Sequence, residues 1–377
     1  MSIKVCLSAD TIGYPEGGGH LWAYLNWALG LRSLGCDVVW LEGVSLRTPL
    51  ATLKANLFPL KDHLRPFGLS DSVALFSQSN ELLPRELTDG CVDVEAAAEA
   101  DLLINLRYAT PANVVKRFKR SALVDIDPGL LQIWMSKGEI NVAPHDIYFT
   151  TGETVGTSRA LFPDAGLKWH YTPPCVALDW WPVAQVSNGA PFTTVSHWYA
   201  DDWVEHDNAV YANDKRSGFV PYLTLPRQAS TPLELTLCVG ADEEDDIAAL
   251  HQQGWRVRNA AEVASTPQNY QGYIQQSRGE FSCAKPSCVL LQNAWISDRT
   301  LCYLASGKPV VVQHTGLSKF LPDSAGMFRF RDFDDAVRSL EAAVTDYERQ
   351  CTFARAVAAE HFDARKVVEH LLERALR

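Results

Sequence analysis

The sequence predicts an α/β protein of two domains, each a parallel sheet flanked by helices. Three observations carry this. At 377 residues the chain is longer than one ordinary hydrophobic core organises. Short apolar runs rich in β-formers alternate with helical patterns from end to end. Between residues 173 and 191, PPCVALDWWPVAQVSNGAP breaks that alternation with four prolines, and the interdomain linker is placed there.

The first strand is IKVCLSAD. It runs into the glycine loop Gly17, Gly18 and Gly19, and a helix follows from His20 with Trp22, Leu25 and Leu29 on one face and Gly35 as its stop. CDVVWLEGV is the next buried strand, which completes a strand–loop–helix–strand opening unit of a parallel sheet. EADLLINLRY, SALVDIDPG and HDIYFTTGE repeat the strand with a polar tip, so Asp10, Asp125, Asp127 and Glu153 are expected on one rim. After the linker, FTTVSHWY and LELTLCVG read as strands, DRTLCYLAS as a helix and GKPVVVQHTG as a strand entering a tight loop. From DFDDAVRSLEAAV the chain reads as helical nearly to Arg377, with a break near Phe362 and Asp363.

A net charge of -11, with 47% hydrophobic and 21% charged residues, fits a globular protein and argues against nucleic acid as a partner. The N-terminal segment lacks the apolar core of a signal peptide, and no run approaches the roughly 18 apolar residues of a membrane span. No integral membrane segment is expected. The nine cysteines are scattered and form no CxxC pair, which suits a reduced, cytoplasmic protein without a zinc site.

The chemistry concentrates between Ala294 and Phe330. Ser297 suits a helix N-cap with Asp298 in the first turn, and such a terminus offers unpaired N–H groups to phosphate oxygens. Arg299 adds a guanidinium fork, and Thr315 and Gly316 lie in a second loop at the same rim. Three consecutive glycines near the N-terminus are costly to order, which points to a close backbone approach there.

This segment, with LASGKPVVVQHTG at its centre, resembles the nucleotide-sugar-binding region of GT-B glycosyltransferases. The glycine loop and the terminal helices are similar to those of the same enzymes. The resemblance implies two Rossmann-like domains facing each other across a cleft: an acceptor domain (1–180), a donor domain (181–355) and a C-terminal helix (356–377) returning to the first. It implies metal-independent transfer of a sugar from a nucleotide diphosphate, a co-substrate rather than a cofactor. The acceptor is a small molecule, a glycan or a protein. Lys215, Lys285 and Arg299 are the basic residues implied at the diphosphate, with Lys285 favoured over Lys215 in its polar loop. Gly17–Gly19, Ser297, Asp298, Thr315 and Gly316 complete the implied donor set. His20, Asp127 and Glu153 are the candidates for the general base. The paired glutamates of retaining members are absent: their positions hold Ala294 and Cys302.

Competing readings are a sugar-nucleotide epimerase of the same fold and a non-catalytic sugar-nucleotide sensor. A nicotinamide dehydrogenase is disfavoured, because GYPEGGGH is no Gly-x-Gly-x-x-Gly helix opening. VDIDP also has the Asp-x-Asp form of a GT-A metal site, a reading that leaves the second α/β half unexplained. The acidic run Asp242 to Asp246 reads as a solvated helix start. Of the 11 tryptophans, Trp169, Trp180, Trp181, Trp198 and Trp203 cluster around the linker, as core or as stacking surfaces for a sugar.

Overall fold

In the computed structural model, which describes residues 2–377 except 80, 207, 241, 242 and 324, the chain divides into two compact units. The first holds residues up to Gly156, Pro163–Ala177 and Ala364–Arg377; the second holds Thr157–Phe162 and Leu178–Asp363.

The first unit carries β1 (Lys4–Ala9), β2 (Asp37–Val44), β3 (Val73–Ser77), β4 (Leu102–Asn105), β5 (Ser121–Asp125), β6 (Ile147–Thr150) and β7 (Trp169–Tyr171). They form one sheet in the order β3-β2-β1-β4-β5-β6-β7, parallel throughout. Every side chain of β4 and β5 is buried, because helices cover both faces of such a sheet. Cys6, Leu41, Leu103, Val114 and Phe118 belong to one of its core clusters. The Gly18–Ser33 helix packs on the final Ala364–Ala375 helix, whose first N–H bonds Val176 O at 3.0 Å.

In the second unit β8 (Phe192–His197) is followed by the antiparallel hairpin β9 (Trp203–His206) and β10 (Ala209–Ala212). Then come β11 (Leu233–Cys238), β12 (Arg256–Asn259), β13 (Gly279–Ser282), β14 (Val310–Gln313) and β15 (Met327–Phe330). The six-stranded sheet, again parallel, has the order β12-β11-β8-β13-β14-β15. Counted within their own units, both sheets follow the doubly wound 3-2-1-4-5-6 order of a Rossmann fold. An aromatic core of Phe192, Trp198, Phe219, Phe281 and Phe330 holds the second; burying such a side chain contributes roughly 1.5–3 kcal/mol.

Strands β3, β7, β9, β10, β12, β13 and β15 are absent from the sequence reading. All are three to five residues long, too short to show a period by themselves. The expected break at Phe362 and Asp363 separates the Tyr347–His361 helix from the Ala364–Ala375 helix. The chain re-enters the first unit at Ala364.

The Pro-rich stretch is no loose linker. Trp181 is fully buried, and Arg355 donates to Trp181 O at 2.7 Å and to Ala305 O at 2.5 Å. Lys308 Nζ, itself buried, donates to Ala184 O at 2.6 Å. In the acidic run, Asp242 lies outside the described residues and the helix begins at Glu244. Asp246 is more than a solvated start: it accepts from Arg216 Nε (2.7 Å), Trp198 Nε1 (2.9 Å) and Tyr199 OH (2.9 Å).

Candidate functional site

In a doubly wound sheet, ligands bind where the strand order reverses. In the second unit that point lies between β8 and β13, which pair only at Gly279–Phe192 and Glu280–Thr193. Beyond that pairing Arg299 bridges them. Its Nε donates to Glu280 Oε1 (2.7 Å), Nη1 to Val195 O (3.1 Å) and Nη2 to Ser282 Oγ (2.6 Å). Burial works against the guanidinium charge, but Glu280 and two nearby tyrosines hold its pKa well above the ordinary arginine value. The fork expected to face a phosphate is therefore turned inward, tying two strands together.

Arg299 sits on the wall of a small surface pocket of about 20 Å³, with Lys215, Ser297, Trp295, Gln313 and Thr315. Lys215 follows Asp214, which caps the Lys215–Phe219 helix by accepting from Ser217 N at 2.7 Å. The lysine is buried, and its Nζ donates to Cys283 O at 2.5 Å. Burial, and then the Arg299 charge, push its pKa down to about 7. Of the two lysines it is Lys215, and not the favoured Lys285, that lines this pocket. Lys285 lies outside the pocket wall, with its Nζ 3.1 Å from Asp202 Oδ2 and a third of its side chain exposed. Its neighbourhood reads as apolar and that of Lys215 as polar; the direction in which each side chain folds is not a local property.

Ser297 is the N-cap of the Asp298–Ala305 helix, as expected, but its hydroxyl makes no capping hydrogen bond. The Asp298 carbonyl accepts from Cys302 Sγ at 3.5 Å, and Asp298 is only partly buried. The loop before this helix is locked to the loop after β14. Ala294 N donates to Thr315 O at 2.8 Å, and Thr315 Oγ1 to Trp295 O at 2.6 Å. Gln292 and Ala294 hold left-handed backbone (φ 50° and 56°), a conformation rare for residues with side chains. Gly316 has φ 134°, and a Cβ there would lie 2.6 Å from Gln292 O, so only glycine fits.

In the first unit the reversal point lies between β1 and β4. Glu42, buried on β2, organises the loop after β1 by accepting from Thr11 N (3.0 Å), Ile12 N (3.2 Å), Trp40 Nε1 (2.8 Å) and the Thr11 hydroxyl. Burial raises its carboxyl pKa, and these bonds oppose the rise. Gly17 is the N-cap of the Gly18–Ser33 helix, whose first turn carries Gly18, Gly19 and His20. A Cβ on Gly17 would collide with the Tyr14 ring, so this glycine serves packing. His20 is exposed, and its Nε2 lies 2.7 Å from the Asp10 carbonyl. A carbonyl only accepts, so Nε2 carries the proton and Nδ1 of the neutral ring keeps its lone pair.

The remaining carboxylates separate. Asp127 is exposed at a turn and Glu153 is buried after β6. Asp125 is not free at the rim: it accepts from Gln132 Nε2 (2.8 Å), Thr150 Oγ1 (2.7 Å) and Asp127 N (2.9 Å). Burial pushes its pKa up to about 7. Those bonds engage the Asp125 carboxylate of VDIDP, while Asp127 stays exposed. Among the described residues no cluster of three or more His, Cys, Asp or Glu side chains could hold a metal ion, and no helix is long and apolar enough to cross a membrane. Trp181 and Trp198 are core, Trp169 is largely buried, Trp203 is partly exposed and Trp180 is exposed. The pocket tryptophan is Trp295, which sequence reasoning missed although it lies two residues before the Ser297 cap.

Two parallel sheets of Rossmann order in one chain define the GT-B class of fold. Solved structures share it along the whole chain. An alpha-glucosyltransferase in complex with UDP and a 13-mer DNA containing a HMU base matches with a TM-score of 0.64 at 12% identity, covering 100% of both chains. Sucrose-phosphate synthase from Thermosynechococcus elongatus matches at 0.57 and 10% identity, over 99% of this chain and 98% of that one. Anabaena HepE in complex with UDP and glucose matches at 0.54 and 13% identity, over 99% of each. No family model and no curated protein matches the sequence.

Proposed function

We propose that the protein is a glycosyltransferase that takes a sugar from a nucleoside-diphosphate donor held by the second unit, with the acceptor served by the first. The solved enzymes of this fold named above were captured with UDP or UDP and glucose, or act in sucrose-phosphate synthesis, which supports this class of donor. One observation carries the reading for this chain: a buried lysine, Lys215, shares a pocket wall with the uncapped N-terminus of the Asp298–Ala305 helix at the reversal point of the sheet.

In this reading the Ser297 hydroxyl and the first-turn N–H groups bind diphosphate oxygens, and Trp295 offers a face to the base. The bound diphosphate draws a proton from solvent onto Lys215, and the resulting ammonium stabilises the negative charge that grows on the leaving diphosphate in the transition state. Arg299 keeps Glu280 neutralised and positions the Ser297 turn. Charge compensation supplied by a lysine and a helix terminus, together with the engagement of Asp125, favours a metal-independent reaction. His20 is the favoured base over Glu153, because it is exposed and its Nδ1 lone pair is oriented by the bond to Asp10; Asp127 is the other exposed candidate.

A panel of nucleoside diphosphates screened by thermal stabilisation tests the donor site. Wild-type protein is stabilised by at least one nucleotide, and Lys215→Met loses most of that shift. Incubation with the matching sugar nucleotide then separates the outcomes: transfer yields free diphosphate and a glycosylated acceptor, and epimerisation an isomeric donor. No stabilisation by any nucleotide overturns the proposal.

A further inference from the structure

Arg107 follows β4 at the reversal point of the first unit, and its guanidinium is in an unusual state. The side chain is only 9% exposed, yet Nε and Nη1 are both buried without a hydrogen-bond acceptor. Asp10 Oδ1 lies 2.9 Å from Nε but off the N–H direction, so the ion pair leaves the donors unmade. Phe76 lies 6.0 Å away, ring centroid to Arg107 Cζ, and supplies no acceptor. A buried donor without a partner costs roughly 1–3 kcal/mol, and more when charged.

The surrounding loop is built to hold the arginine there. Asn105 Oδ1 accepts from Arg107 N (3.1 Å) and Thr110 Oγ1 (3.0 Å), and Asn105 Nδ2 donates to His145 Nε2 (3.0 Å). His145 Nδ1 donates in turn to Ala143 O at 2.7 Å, which fixes the ring as a neutral acceptor. The Asn105, Thr110 and His145 side chains that shape the loop have partners, whereas Arg107 Nε and Nη1 have no hydrogen-bond acceptor. Asp10, by contrast, is 51% exposed.

We propose that Arg107 is the binding point for a carboxylate or phosphate group on the acceptor substrate, and that Asp10 holds its place in the free protein. The assignment rests on the reading that the first unit serves the acceptor. A planar guanidinium whose buried Nε and Nη1 donors lack hydrogen-bond acceptors suits the paired oxygens of a group that takes the place of Asp10. On a chain with net charge -11, an anion is held only where a local cation is built for it. Asp10 also links this point to the proposed base, because its carbonyl accepts the His20 Nε2 proton at 2.7 Å.

The test uses full-length ¹⁵N-labelled protein carrying Lys215→Met, which silences the proposed diphosphate site. Inorganic phosphate is titrated while the Arg107 Nε–Hε resonance, identified by its loss in Arg107→Gln, is followed. The resonance shifts saturably, and Asp10→Asn tightens phosphate binding by about fivefold, the scale of a half-exposed ion pair. A resonance that does not move, or an Asp10→Asn titration that matches its parent, overturns the proposal. If Arg107→Gln fails to fold, Arg107→Lys identifies the resonance instead and the Asp10→Asn arm decides. Failure of the donor reading shows separately, as a lack of nucleotide stabilisation in wild-type protein.

Discussion

Lys215 and Arg299 are both buried on the wall of one pocket, and after burial itself the Arg299 charge is the main reason the lysine titrates at about 7. Two cations are held together with one carboxylate, Glu280, bound to the arginine. In the proposed donor complex the diphosphate supplies the missing negative charge.

Nucleotide binding at this proposed site is therefore expected to take up a proton at Lys215. Its folded pKa of about 7 lies below the ordinary 10.5, so in that window the unfolded chain holds a proton that the free folded protein lacks. Stability gains from this group as pH rises from 7 to 10.5, and the cost of burying the charge is present in full below 7. Isothermal titration at pH 8.5 in buffers of different ionisation enthalpy should show uptake approaching one proton, and little at pH 6. Equal enthalpies in all buffers at pH 8.5 would contradict it.

Arg299→Ala acts first on stability. It leaves the Glu280 carboxylate buried and unpaired, a loss of about 3–5 kcal/mol. Urea denaturation should show that loss, and the double variant Arg299→Met with Glu280→Leu should recover most of it. A single variant as stable as wild type would mean the pair contributes nothing.

Gly316→Ala strains one loop pair. The added methyl meets Gln292 O in a left-handed backbone region, at a cost of about 1–3 kcal/mol. Amide hydrogen exchange should rise at Ala294, whose N–H bonds Thr315 O. Nucleotide stabilisation falls at the same time, while amides of the first-unit sheet keep their protection.

Glu42→Gln replaces an all-acceptor group with one that carries two N–H donors, facing the amides of Thr11 and Ile12. Losing those charge-assisted bonds should cost about 1.5–3 kcal/mol in local opening free energy. Exchange at Thr11 and Ile12 reports it directly. Unchanged protection there would show that the loop after β1 does not depend on this carboxylate.

Much of the architecture is written in local pattern. Apolar runs such as VVWLEGV and LLIN, separated by helical stretches, predict parallel sheets covered on both faces. Ser297 ahead of a short amphipathic run predicts where the helix starts, and the break at Phe362 and Asp363 predicts where the last two helices part. These features depend on residues within a turn or two of each other, so periodicity and capping chemistry suffice.

The chemistry of the two reversal points was decided by tertiary structure. Arg299 meets Val195 across 104 positions, Lys215 meets Cys283 across 68, and Glu42 reaches Thr11 across 31. A sequence shows that an arginine or a glutamate is present, but whether it faces solvent, a ligand or a buried partner depends on which distant strand lies beside it. Buried charges are expensive unless paired, so the partner settles the role, and the partner is known only once the sheets are assembled.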